Sequence, residues 1–280
     1  MSLLLQPCHN IDLQFTQYLT MLRNLLTAIA ISVSLTSIAQ HDPIHINLKE
    51  NPVLFHQTAA EYRALCYQAF NLATLRVKEL PKKEFKKNKL AIITDIDETI
   101  LDNSYSEAQL IKEGRSYSSE SWLEWTNKSA ATPVPGAKDF LQYAASRGIE
   151  IFYISNRKTI EVNSTIINLK KYNLPFADTA HMLFKAKEDT KKARRQQVMS
   201  EYKVVLLMGD NLNDFSEVFE SGNIEARFTL TDAAKDDWGR KFIVIPNCIY
   251  GEWESAIYNY QKNLPAGQKQ NIRFNTLKGH

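Results

Sequence analysis

The 280-residue sequence shows no strong excess of one charge, since 34 lysines and arginines stand against 31 aspartates and glutamates, for a formal net charge of +3. So small an excess gives no basic footprint of the kind that nucleic-acid-binding proteins carry. The sequence also contains no internal repeat and no low-complexity segment. Its length suits one α/β core with a small cap.

Cysteine is scarce, and the three that are present do not reveal a disulfide framework. Cys8 lies in a segment that we expect to be removed. Cys66 and Cys248 could pair in an oxidising compartment, but their spacing does not place them together. A buried thiol is the simpler expectation for Cys66, which falls on a predicted helix.

An apolar run long enough to span a membrane is also missing near the amino terminus. The run at residues 25–39 has fifteen residues, whereas a spanning helix needs about 20. Arg23 precedes it, and residues 37–39 form a small-x-small cleavage site of the kind found in signal peptides. We expect translation to start at Met21 and the mature protein to be exported, to the periplasm or the cell surface. An uncleaved amino-terminal anchor is the alternative.

The most informative stretch is AIITDIDETILDNSY, residues 91–105, in which an apolar run ends in two aspartates one residue apart. Because side chains alternate along a strand, Asp95 and Asp97 would point to one side while Ile96 returns to the core. One carboxylate could then act as a nucleophile and the other as a general acid. A lone pair of this kind is more often a solvated turn, so a second feature is needed.

The second feature is VVLLMGDNLNDF, residues 204–215, where another apolar run ends in acid. Gly209 permits a sharp turn, and Asp210 and Asp214 are spaced to share one face of a helical turn. Converging carboxylates would repel one another by roughly 4 kcal/mol per close pair at an effective dielectric of about 20. A cation is therefore required, and oxygen ligands without histidine or cysteine favour Mg²⁺. An aspartate nucleophile with Mg²⁺ suits phosphoryl transfer.

Two further segments place polar residues at predicted strand ends. In IEIFYISNR, Ser155, Asn156 and Arg157 follow a strand, where a hydroxyl and backbone N–H groups can bind an anion. Taken alone, a helix N-cap is the better explanation of this segment. Lys185 follows a short apolar run and would add a positive charge to the same edge. The other lysines of this basic stretch are interpreted as solvated surface charges: Lys187, Lys191 and Lys192.

The order of elements predicts the fold. A long helix is expected from Asn51 and Pro52 to about Leu80, followed by a lysine-rich link. Alternating strands and helices then predict a doubly wound, Rossmann-like parallel α/β sheet, with ligands at the carboxyl ends of the strands. The strands are expected at residues 90–94, 149–154, 181–184, 203–208 and 241–246. The helices between them are expected at residues 136–147, 158–171, 188–201 and 213–221.

The stretch 103–132 is too long and too aromatic for a simple crossover, which predicts a small, mostly helical cap. Aromatic residues there and near residue 250 could form a stacking platform for a base. Trp122 and Trp125, three residues apart, are equally what an amphipathic helix buries, so both interpretations stay open. The predicted organisation is residues 1–39 as upstream segment and signal peptide, 40–89 as helix and link, 90–260 as core with cap, and 261–280 as a loosely held helical tail.

Together, DIDET, SNR, the lysine after a short strand and GDNLNDF resemble the four motifs of haloacid dehalogenase (HAD) superfamily phosphatases. More narrowly, DIDETILDNSxY followed by GDNLxDF resembles the class C acid phosphatases, which are lipoprotein e type 5′-nucleotidases. The similarity extends over about residues 58–257. It implies a HAD core and an Mg²⁺-dependent phosphomonoesterase that acts through an aspartyl phosphate.

The resemblance also implies roles for individual residues. Asp95 would be the nucleophile, and Asp97 the acid that protonates the leaving oxygen and then activates water. Mg²⁺ would be held by Asp95, the Asp97 backbone carbonyl and Asp210, with Asp214 close by or acting through water. The phosphate would be bound by three further residues: Ser155, Asn156 and Lys185, the last preferred to Lys187.

The same resemblance favours a substrate platform formed by Tyr105, Trp122 and Tyr250, and therefore nucleoside 5′-monophosphates or related small phosphates. Gln40 stands where lipoprotein members of the family carry a cysteine, so we expect no lipid anchor. Two alternatives remain: a phosphotransferase of the same fold, which would pass the phosphoryl group to another alcohol, and a non-catalytic nucleotide-binding protein.

Overall fold

The computed structural model describes Met21 and residues 43–186, 190–220 and 222–279; the rest of the predicted signal peptide and Cys8 lie outside the described residues. The strands, in chain order, are β1 (Leu90–Thr94), β2 (Leu101–Asp102), β3 (Thr132–Pro133), β4 (Glu150–Lys158), β5 (Met182–Lys185), β6 (Lys203–Gly209) and β7 (Phe242–Val244). The helices are α1 (Pro43–Thr58), α2 (Ala60–Lys78), α3 (Lys82–Lys87), α4 (Ser104–Glu113), α5 (Ser119–Asn127), α6 (Ala137–Ser146), α7 (Val162–Lys171), α8 (Lys191–Met199), α9 (Ile224–Ala233), α10 (Glu252–Ile257) and α11 (Ala266–Thr276).

Within these residues, five strands form one sheet in the order β5-β4-β1-β6-β7. All of its pairings are parallel, and the central strand β1 pairs with both β4 and β6. Every residue of β1, LAIIT, is buried. A continuous apolar strand of this kind is typical of a parallel sheet that is covered on both faces. The predicted bounds of β1 match the structure, and the other predicted strands lie where strands are found.

The two faces of the sheet pack against different helices. Ile92 belongs to a core cluster with side chains of α2, α6 and α7, whereas its neighbour Ile93 belongs to a second cluster that contains Val198 of α8 and Phe215. Successive side chains of a strand point to opposite faces, so one strand serves both clusters. The doubly wound α/β fold predicted from the sequence is therefore confirmed.

The insertion after β1 carries two helices. Strands β2 and β3 pair antiparallel, with Leu101 opposite Pro133, and α4 and α5 lie between them in the chain. Helix α5 begins at a capping box in which the Ser118 hydroxyl accepts from the Ser121 backbone N–H at 3.1 Å. This cap satisfies an amide that the first turn of a helix otherwise leaves unpaired. The stretch 103–132 was predicted to be mostly helical, and the structure has two helices there.

The predicted amino-terminal helix differs from the structure at both its start and its middle. The helix begins at Pro43, so that Pro52 lies inside it, and the chain turns at Ala59, whose backbone is extended. The reason for the turn is visible in a ring contact: His56 stacks on Tyr62 with 4.2 Å between ring centroids. Residues six apart in one continuous helix lie about 9 Å apart along the axis, so this contact requires the chain to turn.

The predicted helix at residues 213–221 is also wrong within the described residues. Two 3-10 turns, Leu212–Asp214 and Glu217–Phe219, stand in its place. The Asp214 carboxylate accepts from the Asn211 backbone N–H at 3.0 Å, and the Ser216 hydroxyl caps the second turn. Side chains that bind nearby backbone amides compete with helical hydrogen bonds and break the segment into short turns.

The carboxyl-terminal segment forms α11, which Arg273 ties to Glu254 of α10 by an ion pair of 2.8 Å. Cys66 and Cys248 are both free thiols, and Cys66 is buried, as the sequence predicts. Among the described residues, no helix is both long and apolar enough to cross a membrane.

Candidate active site

Three neighbouring strands deliver polar side chains to one edge of the sheet. Asp95 directly follows β1, Asp210 directly follows β6, and Ser155 lies in the last half of β4. Because these parallel strands end at the same edge, their terminal side chains meet at the position where α/β sheets bind ligands. A cleft of about 430 Å³ opens there, and Asp95, Asp97, Asp210 and Asp214 all line it.

A buried ammonium group joins two of these aspartates. Lys191 Nζ lies 2.5 Å from Asp95 Oδ1 and 2.5 Å from Asp214 Oδ1. None of the three side chains is more than 7% exposed. Burial opposes the charge on the lysine, but Asp214 and Asp95 outweigh it and raise the pKa of Lys191. The lysine is therefore a fixed positive charge at the floor of the cleft.

The carboxylates themselves form a compact group. Asp95, Asp210 and Asp214 each offer an oxygen, and these oxygens lie within 4.8 Å of one another. Burial raises the pKa of Asp95 well above its usual range, against the opposing charge of Lys191. Burial, with the nearby charge of Asp214, raises the pKa of Asp210 to about 7. Asp95 and Asp214 are buried and Asp210 is half-buried, so three carboxylates lie close to one ammonium, and a divalent cation would balance the remaining negative charge.

The backbone at the end of β6 is shaped to hold this group. Asp210 accepts from Thr99 Oγ1 at 3.1 Å and from Asn247 Nδ2 at 2.7 Å, so its carboxylate is fixed from two sides. A Cβ on Gly209 would overlap the Asp214 carboxylate. Only glycine leaves room for Asp214 to lie against the end of the strand.

Asp97 has a different set of partners. The Arg157 guanidinium approaches it with Nη2 2.8 Å from Oδ1 and with Nε 3.1 Å from Oδ1 and 3.2 Å from Oδ2. The Ser155 hydroxyl donates to Oδ2 at 3.2 Å, and Asn103 Nδ2 donates to Oδ1 at 2.9 Å. The Arg157 side chain is only 2% exposed and also lies 5.6 Å from the Trp122 ring. From the sequence, Arg157 was expected to follow the strand, but no role was predicted for it.

The two other residues of the SNR segment point in different directions. Ser155 is buried, and its hydroxyl also accepts from the Arg157 backbone N–H at 3.1 Å. Asn156 is exposed and lines the cleft, and its Oδ1 accepts from Arg194 Nη2 at 3.2 Å. The structure therefore brings the Ser155 hydroxyl to Asp97 and the Asn156 side chain to the cleft.

The structure does not bring Lys185 to the carboxylates. Its side chain is exposed at the end of β5, and it is not among the described residues that line the cleft. Lys187 lies outside the described residues. The interpretation of Lys191 as a solvated surface charge was wrong, because this lysine is buried between Asp95 and Asp214. The physical reason is that its helix begins at Lys191, so that the first helical side chain lies at the edge of the sheet beside Asp95 and Asp214.

The sequence does contain a pattern that predicts burial of Lys191, but most of the residues that form this pattern are charged. On α8 the buried positions are Lys191, Arg194, Arg195 and Val198, which follow the i, i+3, i+4, i+7 spacing of an inward helix face. Thr190 caps this helix by accepting from the Ala193 N–H at 3.3 Å. Lysines and arginines at helical spacing normally predict a solvated face. The position of the helix cap and of the preceding strand is needed to predict that this face points inward.

The aromatic residues divide into two groups. Trp122 and Tyr250 line the cleft, and Tyr117, which the sequence did not single out, lines it with them. Tyr105 is 51% exposed and is not among the described lining residues, so its proposed place in the platform was wrong. It stands on the first turn of α4, whose buried residues Ser104 and Ser106 lie on either side of it in the chain.

The arrangement is suited to covalent catalysis. A buried carboxylate beside a fixed ammonium can act as a nucleophile, and a second carboxylate two residues later can move a proton. The aspartate oxygens fit a hard divalent cation, and the aromatic walls fit a flat group. The cleft volume is of the size that small-molecule sites have.

Comparison with known proteins agrees with this geometry. Residues 18–253 match a family model described as HAD superfamily, subfamily IIIB (acid phosphatase). The structure of the class C acid phosphatase from Bacillus anthracis is 37% identical, with a TM-score of 0.80, over 85% of this chain and 99% of that chain. The crystal structure of the same enzyme with tungstate bound is 38% identical, with a TM-score of 0.80, over 84% of this chain and 98% of that chain. The chain therefore belongs to subfamily IIIB of the HAD superfamily and is a class C acid phosphatase, a hydrolase of phosphomonoesters.

Proposed function

We propose that this protein is an exported, Mg²⁺-dependent phosphatase that hydrolyses nucleoside 5′-monophosphates through a phosphoryl group carried on Asp95. The observation that supports this most directly is the contact of Asp95 with Lys191 at 2.5 Å on the floor of the cleft. The ammonium favours the ionised form of the carboxylate against the effect of burial, and it can also balance the charge of an incoming phosphate.

The reaction has two halves in this proposal. In the first, an Asp95 carboxylate oxygen attacks phosphorus, the bond to the leaving oxygen breaks, and protonated Asp97 gives that oxygen its proton. In the second, the Asp97 carboxylate takes a proton from water as the water oxygen attacks phosphorus. The Asp95–phosphorus bond then breaks, which releases inorganic phosphate and restores both aspartates. The role proposed for Asp97 is supported by its position in the lining of the cleft, together with Asp95.

The metal is assigned from the donor set. Asp95, Asp210 and Asp214 present carboxylate oxygens within 4.8 Å of one another, and one ammonium does not balance their charge. This set fits Mg²⁺, which prefers oxygen ligands. When bound, the ion would reduce the repulsion between the substrate phosphate and the nucleophile. Lys191 contributes the fixed positive charge that the sequence had led us to expect from Lys185.

The preference for nucleotides rests on the walls of the cleft. Trp122, Tyr117 and Tyr250 line it, and its volume of about 430 Å³ accommodates more than a phosphate group alone. Stacking of a base on an aromatic ring contributes about 1 to 3 kcal/mol, which would favour nucleotides over small alkyl phosphates.

Phosphate release from a panel of nucleoside monophosphates, sugar phosphates and an aryl phosphate tests the proposal, with Mg²⁺ or with chelator. We expect metal-dependent turnover that disappears in Asp95→Asn and persists in the matched control Asp139→Asn on α6. Acid quench of the wild type should trap one phosphoryl group per chain. Full turnover in Asp95→Asn would refute the assignment of the nucleophile, and equal rates on all substrates would refute the nucleotide preference.

Export is proposed from the apolar run at residues 25–39 and the triplet that ends it. Mass spectrometry of the protein recovered outside the cytoplasm should show an amino terminus at Gln40. Recovery of the intact amino terminus from a membrane fraction would support the uncleaved anchor instead. Replacement of Ala39 by a bulky residue should block the cleavage while leaving the catalytic chain unchanged.

A further inference from the structure

Asn103, the residue between β2 and α4, contacts the proposed acid from outside the cleft. It is fully buried and is not among the described residues that line the cleft. Its Nδ2 donates to Asp97 Oδ1 at 2.9 Å. Its side chain therefore acts on the cleft through the residues that it contacts, and among these Asp97 is the one with a proposed role in the reaction.

The orientation of the Asn103 amide is fixed by a donor that cannot accept. Trp125 Nε1, on the second helix of the cap, donates to Asn103 Oδ1 at 2.8 Å. An indole N–H is a donor only, so the amide oxygen must face the tryptophan and the amide nitrogen must face Asp97. A flipped amide would place two donors against each other and two acceptors against each other.

The backbone of Asn103 is held as well. Its N–H donates to Glu98 Oε1 at 2.7 Å, and the Tyr250 hydroxyl donates to Glu98 Oε2. Glu98 is fully buried and has a positive φ of 57°, which is uncommon for a residue other than glycine. A sparsely populated backbone conformation persists only where the surroundings hold it, and such residues concentrate at functional sites.

The two oxygens of Asp97 consequently have different partners. Oδ1 receives Asn103 Nδ2 and Arg157 Nη2, which are donors without acceptor capacity. A proton on Oδ1 would oppose both of them. Oδ2 receives the Ser155 hydroxyl at 3.2 Å and shares the Arg157 Nε–H with Oδ1. A hydroxyl can donate or accept, so Oδ2 has one partner that can change its role, whereas the partners of Oδ1 are all fixed donors.

We propose that Asn103 is a positioning residue for Asp97, and that its amide, oriented by Trp125, holds the Asp97 carboxyl in one orientation by donating to Oδ1. This inference rests on the proposed function, which makes Asp97 the acid and base. It adds that Asn103, at the start of the helical insertion, and Trp125 of α5 fix the orientation in which that carboxyl works.

The test uses kcat/KM, which reports only the steps up to departure of the leaving group. A general acid matters most for a poor leaving group and little for a good one. The substrates are therefore a nucleoside 5′-monophosphate, whose leaving group is an alkyl alcohol, and an aryl phosphate with an acidic phenol. A variant that merely disturbs the fold lowers both values alike, whereas loss of proton delivery lowers the first alone.

Two variants and two references complete the design. Asn103→Leu keeps the approximate shape and removes the donor, and Trp125→Phe keeps an aromatic ring and removes the donor to Asn103. Ser118→Ala is the matched control, because it weakens the cap of the same helix without touching Asn103. Asp97→Asn tests the acid itself. Thermal unfolding of each variant confirms that the assayed protein is folded.

We expect Asn103→Leu to lower kcat/KM for the nucleotide by roughly 10- to 100-fold, a part of what a general acid contributes, and for the aryl phosphate by less than about threefold. Trp125→Phe should show the same selectivity to a smaller degree, and the double variant should be no worse than Asn103→Leu, because the tryptophan acts through the amide. Ser118→Ala should not show the selectivity.

Equal losses on both substrates, or none, in a folded Asn103→Leu would overturn the proposal while leaving Asp97 as the acid. The same holds if Trp125→Phe behaves like Ser118→Ala. A selective loss of nucleotide turnover in Asp97→Asn without one in Asn103→Leu would show that Asp97 is the acid and that Asn103 does not position it. Full nucleotide turnover in Asp97→Asn would instead show that the proposed acid–base role of Asp97 is itself incorrect, and the inference would fail with it.

Discussion

Acidification should destabilise the protein through one buried histidine. His56 on α1 is 4% exposed, stacks on Tyr62, and accepts at Nε2 from the Cys248 backbone N–H at 3.3 Å. Burial lowers the pKa of His56 from 6.5 to about 4. A proton on Nε2 would remove this acceptor and place a charge in an apolar setting, so the folded protein holds the ring neutral.

The sign of the effect follows from which state binds the proton. Above about pH 6.5 the ring is neutral in both folded and unfolded chains, so His56 adds no pH dependence. Between about pH 6.5 and about pH 4 the unfolded chain binds a proton that the folded chain does not, and the free energy of unfolding falls by about 3 kcal/mol. For a chain of this size such a loss lowers the melting temperature by roughly 6 to 12 °C.

Urea denaturation of wild type and His56→Gln, from about pH 7.5 down to about pH 4 in the presence of chelator, measures this contribution. Carboxylates titrate in both proteins, so the difference between the two curves isolates the histidine. We expect His56→Gln to be the less stable protein at neutral pH, because it loses the ring contact, and to lose about 3 kcal/mol less than wild type on acidification. Parallel curves for the two proteins would refute the reasoning.

Three further changes have expected outcomes. Lys191→Met removes the ammonium between Asp95 and Asp214 and should lower kcat at least about 100-fold, whereas the exposed Lys185→Met should stay within about twofold; equal losses would contradict the placement of the lysine. Gly209→Ala forces a Cβ into the Asp214 carboxylate and should lower the free energy of unfolding by about 1 to 3 kcal/mol in urea denaturation, and an unchanged midpoint would show that Asp214 relocates freely. Trp122→Leu should raise KM for a nucleotide roughly 5- to 100-fold with little change in KM for a small alkyl phosphate. Tyr105→Leu should change neither KM value. An equal rise in KM for both substrates in Trp122→Leu would argue against stacking.

The central sheet could be predicted from the sequence because its strands are buried on both faces. LAIIT in β1 has no polar residue until its last position, and acid follows immediately. A continuous apolar run with this ending is typical of a buried strand. A helix of five residues is too short to bury all of these side chains, and a loop would leave them exposed to water. The same reasoning predicted β6 at residues 203–208, one residue short of its end at Gly209.

Prediction failed where side chains determine the backbone. The segment after β6 has helical spacing, but Asp214 turns back to accept from the Asn211 N–H, and its carboxylate fills the space beside Gly209. At Ala59 the turn is determined by stacking of His56 on Tyr62, a contact that no local pattern encodes. Both cases depend on contacts made only once the chain has folded, so spacing alone favours the longer helix in each.

The positions of the two catalytic candidates could be predicted, but the difference between them could not. Asp95 and Asp97 are the same residue type in the same apolar context, and in sequence only their order distinguishes them. In the structure the ammonium of Lys191 on α8 contacts Asp95. The guanidinium of Arg157 on β4 and the amide of Asn103, between β2 and α4, contact Asp97. The three partners lie 96, 60 and 6 residues away from the aspartates that they contact. An ammonium can approach phosphate and nucleophile together as a point charge, whereas the planar fork and the amide fix one carboxyl in one orientation. The proposed nucleophile and the proposed proton carrier are therefore distinguished by which strand, helix and loop reach each carboxylate, and that is decided by the topology of the fold.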